Sequence, residues 1–251
     1  MIYSFGLSKA GTHLIVPTLK EAGYEIFAGV VSRNGDVHST DAQEKTDDGI
    51  IKAVLTGNVI DWPDPEPRLV LYGHPKYTDG FAKEYIAGYK VIFSIRDLRT
   101  RLISHFRYEQ LRICDRYISV EDGLPIGYEN MFKTWLMSLG NEYVTATNNY
   151  IPWKDYEGVL LIKFEELVAN NSTICSNLNT FLNPRETKSD YGLGLRTSST
   201  FTKALKSVNG KQHGTLMKHT STWDDYTFDW LDKWYTDCGL KDLNKTLGYD
   251  L

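Results

Sequence analysis

Three residues with chemistry to offer stand directly after short apolar runs: Lys9, His74 and Arg96. Lys9 lies in Gly6-Leu7-Ser8-Lys9-Ala10-Gly11-Thr12, behind the apolar run Ile2–Phe5 and ahead of a helix-like pattern, Leu14, Ile15, Leu19 and Ala22, closed by Gly23. Strand, glycine turn and helix start together form an anion cradle, because the first amides of a helix have no internal partners. Gly6 and Gly11, with Thr12 next, have the spacing of the nucleotide loop G-x-x-x-x-G-K-[ST]. The lysine is displaced into the loop, two residues before the second glycine. That placement predicts a phosphate loop used for something other than magnesium-ATP. An ammonium there adds a mobile charge to fixed backbone donors, which suits a group whose negative charge grows during reaction. The plain alternative is a surface lysine after a strand.

His74 sits in Tyr72-Gly73-His74-Pro75. Histidine titrates near neutrality and can take a proton from an attacking hydroxyl. A lone histidine is also commonly structural, and from the residues alone both readings stand. Arg96 follows the run Lys90–Ile95, and Ser104 comes eight residues later. On one continuous helix the two would be about two turns apart. They meet one ligand only if Arg96 sits on the strand end and the helix axis points past it. Arg99, Arg101 and Arg107 read as a solvated basic face, and Asp97 as a helix cap. No H-E-x-x-H, paired C-x-x-C or strand-end aspartate cluster suggests a metal, and no G-x-S-x-G suggests a serine hydrolase.

The elements that must position these residues alternate. Strands are expected at Ile2–Phe5, Arg68–Tyr72, Lys90–Ile95 and Val159–Lys163, with Glu25–Val31 as a fifth. Helices are expected at Thr12–Ala22, Leu98–Arg112, Glu129–Asn149, Glu166–Leu182 and Trp230–Leu247. Strands alternating with helices imply βαβ units and a parallel sheet, and such sheets bind ligands at the carboxyl ends of their strands. That rule selects Lys9, Gly11 and Thr12, then Gly73 and His74, then Arg96, then Phe164 and Glu165. Residues 33–48 are polar and read either as an excursion near the site or as a surface loop. Trp62-Pro-Asp-Pro-Glu-Pro67 is a stiff connector. Residues 183–225 are polar and weakly periodic, as a flap closing over a ligand would be.

The 251 residues, 41% hydrophobic, suffice for one domain spanning 1–251. A net charge of −4 argues against broad electrostatic binding to nucleic acid. Three scattered cysteines, Cys114, Cys175 and Cys238, fit free thiols in a reducing compartment. With no signal-like leader and no long apolar span, a cytoplasmic protein without a membrane anchor is expected.

Taken in order, these segments resemble the PAPS-dependent sulfotransferases, which transfer a sulfuryl group from 3′-phosphoadenosine 5′-phosphosulfate. Ser8-Lys9-Ala10-Gly11-Thr12-His13-Leu14 is similar to that family's 5′-phosphosulfate loop, P-K-S-G-T-T-W. Ile95–Ser104 is similar to its 3′-phosphate motif, R-[DN]-P-[RK]-[DE]-x-x-x-S, with the spacing of eight kept. Gly73-His74-Pro75 resembles the T-H-L-P segment of the cytosolic-type branch, which carries a catalytic histidine. Phe164-Glu165-Glu166-Leu167 resembles Y-E-D-[LM], and Ser199-Thr200-Phe201 resembles T-S-F. Residues 206–223 stand where the flap R-K-G-x-x-G-x-W belongs, with Gly210-Lys211-Gln212-His213-Gly214 the nearest match. Lys203, Lys206 and Lys211 are equal candidates for its charge.

The resemblance implies a P-loop-like α/β fold, a three-layer sandwich around a mainly parallel sheet. It implies in-line sulfuryl transfer from PAPS to a hydroxyl or amine, leaving PAP, with no metal required. His74 would be the general base and Lys9 would stabilise the leaving phosphate. Lys9, Ala10, Gly11, Thr12, His13 and Leu14 would hold the 5′-phosphosulfate, and Arg96 and Ser104 the 3′-phosphate. Phe164, Thr200 and Phe201 would meet the adenine, and Gly210 and Lys211 would close over the donor. The acceptor would be a small molecule or a glycan. A P-loop phosphotransferase and a catalytically idle nucleotide-binding module are the competing readings.

Overall fold

Ile2–Gly6 forms β1, buried at every position. A strand covered on both faces has no polar side to show, so it reads as an apolar run. The structure is a computed structural model that describes residues 2–7, 9–21, 24–28, 30–33, 36–39, 51–52, 69–73, 77, 79–84, 86–114, 128–169, 172–182 and 228–249. After β1 come α1 (Thr12–Glu21), β2 (Glu25–Ala28), β3 (Val30–Arg33), β4 (Asp36–Ser39), β5 (Ile51–Lys52) and β6 (Leu69–Gly73). Then follow α2 (Asp79–Glu84), β7 (Lys90–Ile95), α3 (Leu98–Cys114), α4 (Tyr128–Asn148), a 3-10 turn (Ile151–Asp155), β8 (Val159–Lys163), α5 (Phe164–Val168) and α6 (Ser172–Leu182). The described chain ends in two helices, Asp229–Asp237 and Leu240–Thr246.

Among the described residues six strands form one sheet in the order β5-β2-β6-β1-β7-β8. All its pairings are parallel. Alternate residues face opposite sides, as the pleat requires. Tyr3, Phe5, Val91, Phe93 and Ile95 share one core cluster with α3, α4, Trp153 and the C-terminal helices. Ile2, Val70, Ile92 and Ile162 share the other with α1, α5 and α6. Helices therefore cover both faces, and the three-layer α/β sandwich expected from the sequence is the fold. Among the described residues no helix is long and apolar enough to cross a membrane.

Several boundaries differ from the sequence expectation. The fifth strand splits into β2 and β3, and β3 pairs antiparallel with β4 from Val30↔Ser39 to Arg33↔Asp36. The start of the polar stretch 33–48 is thus a hairpin, with Asn34-Gly35, a known hairpin-turn pair, between its strands. The expected helix Glu166–Leu182 is two helices, because β8 runs straight into α5, which ends at Ala169. Trp230–Leu247 is also broken, at Gly239, whose φ of 84° no helix continues. The connector at 62–67 and the stretch 183–225 lie outside the described residues.

Gly6 marks how closely β1 and β7 approach at their carboxyl ends. It pairs with Ser94, and a Cβ on it would overlap Ser94 Oγ and lie 2.5 Å from the Ser94 carbonyl oxygen. Gly6→Ala should therefore lower the unfolding free energy by roughly 1–3 kcal/mol in urea titration. An unchanged midpoint would show that the two strands part freely there.

Candidate functional site

Strand order locates the crevice. The chain leaving β1 turns through α1 toward β2, while the chain leaving the adjacent β7 turns through α3 toward β8 on the other side. Neighbouring strands whose exits diverge leave a crevice at their carboxyl ends, where open α/β sheets take ligands. The described residues at this point are 7, 9–12 and 96–98.

The β1 exit is a tight, bonded turn. Leu7 N–H donates to Ser94 O at 3.1 Å, and Ala10 N–H donates to Leu7 O at 2.9 Å. Closing that turn puts Lys9 at φ 67°, the left-handed region, and Gly11 follows at φ 93°. Glycine adopts such angles freely, whereas a lysine there costs about 1–2 kcal/mol. Backbone strain of this kind persists where the surroundings over-determine it and clusters at functional sites. Gly11 O then accepts from Leu14 N at 2.8 Å and Ile15 N at 3.2 Å, which starts α1. A Cβ on Gly11 would lie 2.7 Å from the Phe164 ring, so this position needs glycine for space as well as angle.

The residues expected to form the cradle divide into distinct roles. Ala10 is fully buried and its amide closes the turn. Leu14 packs into the core beside Ile2 and Ile162 instead of presenting a surface to a base. Thr12 turns inward, with Oγ1 3.4 Å from Ser94 Oγ. The helix starts with the amides of Thr12 and His13, which have no intrahelical acceptor. Lys9, half-buried, stands beside them. The side chain of His13 lies outside the described residues.

Arg96 closes the other side of the crevice. Its side chain is out of water, with the residue 5% exposed, and the guanidinium lies 4.1 Å over the Phe164 ring. It donates through Nη1 to Lys9 O at 3.3 Å and through Nε to Thr100 Oγ1 at 3.0 Å. Burial pushes its pKa down to about 10, a displacement opposed chiefly by the carboxylate of Glu165. The group is still a cation at neutral pH. Its burial costs the fold on the order of a few kcal/mol, fully below pH 10 and relieved only as the pH rises toward the ordinary guanidinium range. Arg96 thus sits on the strand end, the first of the two conditions for a ligand shared with Ser104. Thr100 and Ser104 are one turn apart on α3, about 5–6 Å between Cβ atoms, and Ser104 is half-buried. Thr100 went unnoticed in the sequence, although its place four residues after Arg96 was a usable signal.

Phe164, expected at the adenine, is buried between the loop and the guanidinium, one edge near Gly11 and one face under Arg96. Arg101, expected on a solvated face, is 2% exposed because α3 lies against α4. It donates to Thr147 Oγ1 at 2.9 Å and stacks 4.4 Å over Tyr143. Arg99 is chelated by the Asp97 carboxylate. Asp97 caps α3 as expected, its Oδ1 accepting from Arg99 N at 2.9 Å.

The two helix starts in the crevice differ in one respect. At α3 the protein supplies the acceptors: Glu165 Oε1 for Asp97 N, Asn244 Oδ1 for Leu98 N and Asp97 for Arg99 N. The start of α1 follows directly on Lys9, whose carbonyl Arg96 holds, so two basic residues stand at this helix start while the first α3 amides are already taken. His74, Thr200, Phe201, Gly210 and Lys211, with the flap lysines Lys203 and Lys206, lie outside the described residues. Gly73, the residue before His74, pairs with Phe5, one residue before the loop.

No protein-family model matches the chain, and no curated protein matches its sequence. Its architecture does match solved structures. The mouse sulfotransferase SULT7A1, crystallised as a complex with PAP, superposes with a TM-score of 0.56 at 13% identity, covering 98% of this chain and 87% of that one. This chain has the fold of that sulfotransferase. A sulfotransferase from Alicyclobacillus acidocaldarius also aligns, at 14% identity over 89% of this chain and 98% of that one, but its TM-score of 0.38 is too low to bear on the fold.

Burying the Arg96 charge opposes folding, and replacing a buried ionic group by an apolar one of similar size is often neutral or stabilising. Arg96→Met, of similar length and apolar, should leave the urea midpoint equal to or above that of the parent protein. A loss exceeding about 2 kcal/mol would make Arg96 a structural cation instead.

Proposed function

We propose that this protein is a sulfotransferase, moving a sulfuryl group from PAPS to a hydroxyl or amine on a small molecule or glycan. The observation that carries the reading is the start of α1 set beside the left-handed Lys9 and the buried Arg96, which bonds the Lys9 carbonyl at the switch point of the sheet. Two anion-holding groups on adjacent strand exits suit a ligand with two separate phosphates better than a single triphosphate tail. The fold supports the same reading, since a sulfotransferase that shares it was crystallised with PAP.

The donor supplies a sulfuryl group on a phosphate that is already a good leaving group. The first amides of α1 and the Lys9 ammonium would hold that 5′ end, and Lys9 would neutralise the phosphate oxygen as its bond to sulfur breaks. Arg96 and Ser104 would take the 3′-phosphate, the group that separates this donor from ATP. An anion beside Arg96 would also offset the cost of burying its charge. His74 would accept the proton as the acceptor oxygen or nitrogen bonds to sulfur in line with the departing phosphate. Phe164 would steady Arg96, and the residues at 200–201 and 210–211 would complete the donor site.

Adenosine 3′,5′-bisphosphate should raise the melting temperature, as any ligand of the native state does. A larger rise with magnesium-ATP, and none with the bisphosphate, would identify a phosphotransferase instead. With labelled PAPS and a panel of phenols, alcohols, amines and sugars, Lys9→Ala and His74→Ala should each cut transfer by about 100-fold or more. If both retain full turnover on a confirmed acceptor, the two assigned roles are wrong.

A further inference from the structure

The start of α3 is held by residues far along the chain. Leu98 N–H donates to Oδ1 of Asn244 at 2.8 Å, across 146 positions. Asn244 is completely buried and sits in the last described helix, Leu240–Thr246. Beside it, Asp97 N–H donates to Oε1 of Glu165, and the other oxygen of that carboxylate accepts from the Tyr249 hydroxyl at 2.7 Å. Burial and the adjacent Glu165 charge push the Tyr249 pKa far up, so the phenol stays a donor. Tyr249 is itself pinned. Lys163 Nζ lies 4.7 Å over its ring and donates to Gly248 O at 2.6 Å, while Tyr249 N–H closes on Asn244 O.

The C-terminal segment thus grips both amides that follow Arg96, one directly and one through Glu165. Glu165 is also the largest favourable charge acting on the Arg96 guanidinium. A short arginine turn between a strand and a helix has two soft torsions per residue, and here both residues after it are fixed from outside.

We propose that Asn244 and Tyr249 are positioning residues for the 3′-phosphate subsite, acting through Leu98 N and Glu165 on the orientation of Arg96. The proposal rests on the donor reading above. It assigns to the end of the chain the selectivity between nucleotides with and without a 3′-phosphate; the 5′ loop is affected only secondarily, through the Lys9 carbonyl that Arg96 holds.

The test uses the full-length protein and two probes, adenosine 3′,5′-bisphosphate and adenosine 5′-monophosphate, by isothermal titration. Tyr249→Phe keeps the ring over which Lys163 stacks and deletes only the hydroxyl. It should weaken the bisphosphate about fivefold and change the monophosphate less than about twofold. Asn244→Ala should act in the same direction. Equal weakening of both nucleotides would reduce these residues to general packing, and unchanged affinity for both would remove them from the site. Hydrogen exchange without ligand reads the same claim independently. Amides of residues 97–101 should open about tenfold more often in Tyr249→Phe and Asn244→Ala. If the parent protein binds neither probe, the donor reading fails and the positioning role falls with it; a parent that binds both, with variants that change neither affinity, overturns the positioning role alone.

Discussion

Taking the Arg96 guanidinium out of water is the constraint on which the rest of the crevice depends. A cation in that position needs a partner on every side. One face has Phe164, at the start of α5. Its edge has the Lys9 carbonyl, from the β1 exit, and the Thr100 hydroxyl, from the first turn of α3. Each partner comes from a different segment, so satisfying one charge fixes three segments relative to each other. The Lys9 carbonyl is available because Lys9 is left-handed, and Gly11 must be glycine because the same Phe164 ring lies against it. Loop angle, ring position and cation are one arrangement.

Around that arrangement the sheet supplies rigidity. Gly6 lets β1 and β7 approach closely, Ser94 ties Phe5, Leu7 and Thr12 together, and the pair carries the loop and the arginine on adjacent strand ends. A strand buried on both faces is a stiff mount for a site, because any tilt breaks packing on two sides. The helices are used unequally. The start of α3 is saturated by Asp97, Glu165 and Asn244, whereas α1 begins at a glycine with a lysine alongside. The same backbone dipole thus meets protein acceptors at α3 and a basic neighbour at α1. Likeness in fold to a mouse sulfotransferase at 13% identity is consistent with this economy, since a sandwich of this kind demands burial patterns and a few bonded turns rather than particular residues.

Strands at β1, β6, β7 and β8 were legible to within a residue, because each is an apolar run between polar turns, and β1 and β7 are buried almost throughout. The hairpin of β3 and β4 was not, since each strand is only four residues long and its sequence is largely polar. Helix lengths were overestimated where apolar spacing continued across a break. Gly239 interrupts the C-terminal pattern through its φ, which spacing does not register. In the site, the glycine spacing, the Asp97 cap and the separation of Arg96 from Ser104 were all readable, being local. The direction each side chain faces was not. Leu14 and Thr12 point into the protein, and Arg101 is buried, because α1 packs down on the sheet and α3 against α4.

By itself the sequence determined what acts over a few residues: a glycine turn bearing a lysine, a capped helix after an arginine, an alternation of strand and helix, and hence the class of fold. Tertiary structure alone decided which charges leave water and what holds them. Glu165, Asn244 and Tyr249 reach the Arg96 turn across 68 to 146 positions, counting from Asp97, Leu98 and Glu165. Turn and helix preferences are short-range backbone energies and leave a trace in neighbouring residues. Desolvation depends on whatever packs on top, and that is settled only when the last helices of the chain close over the first strands.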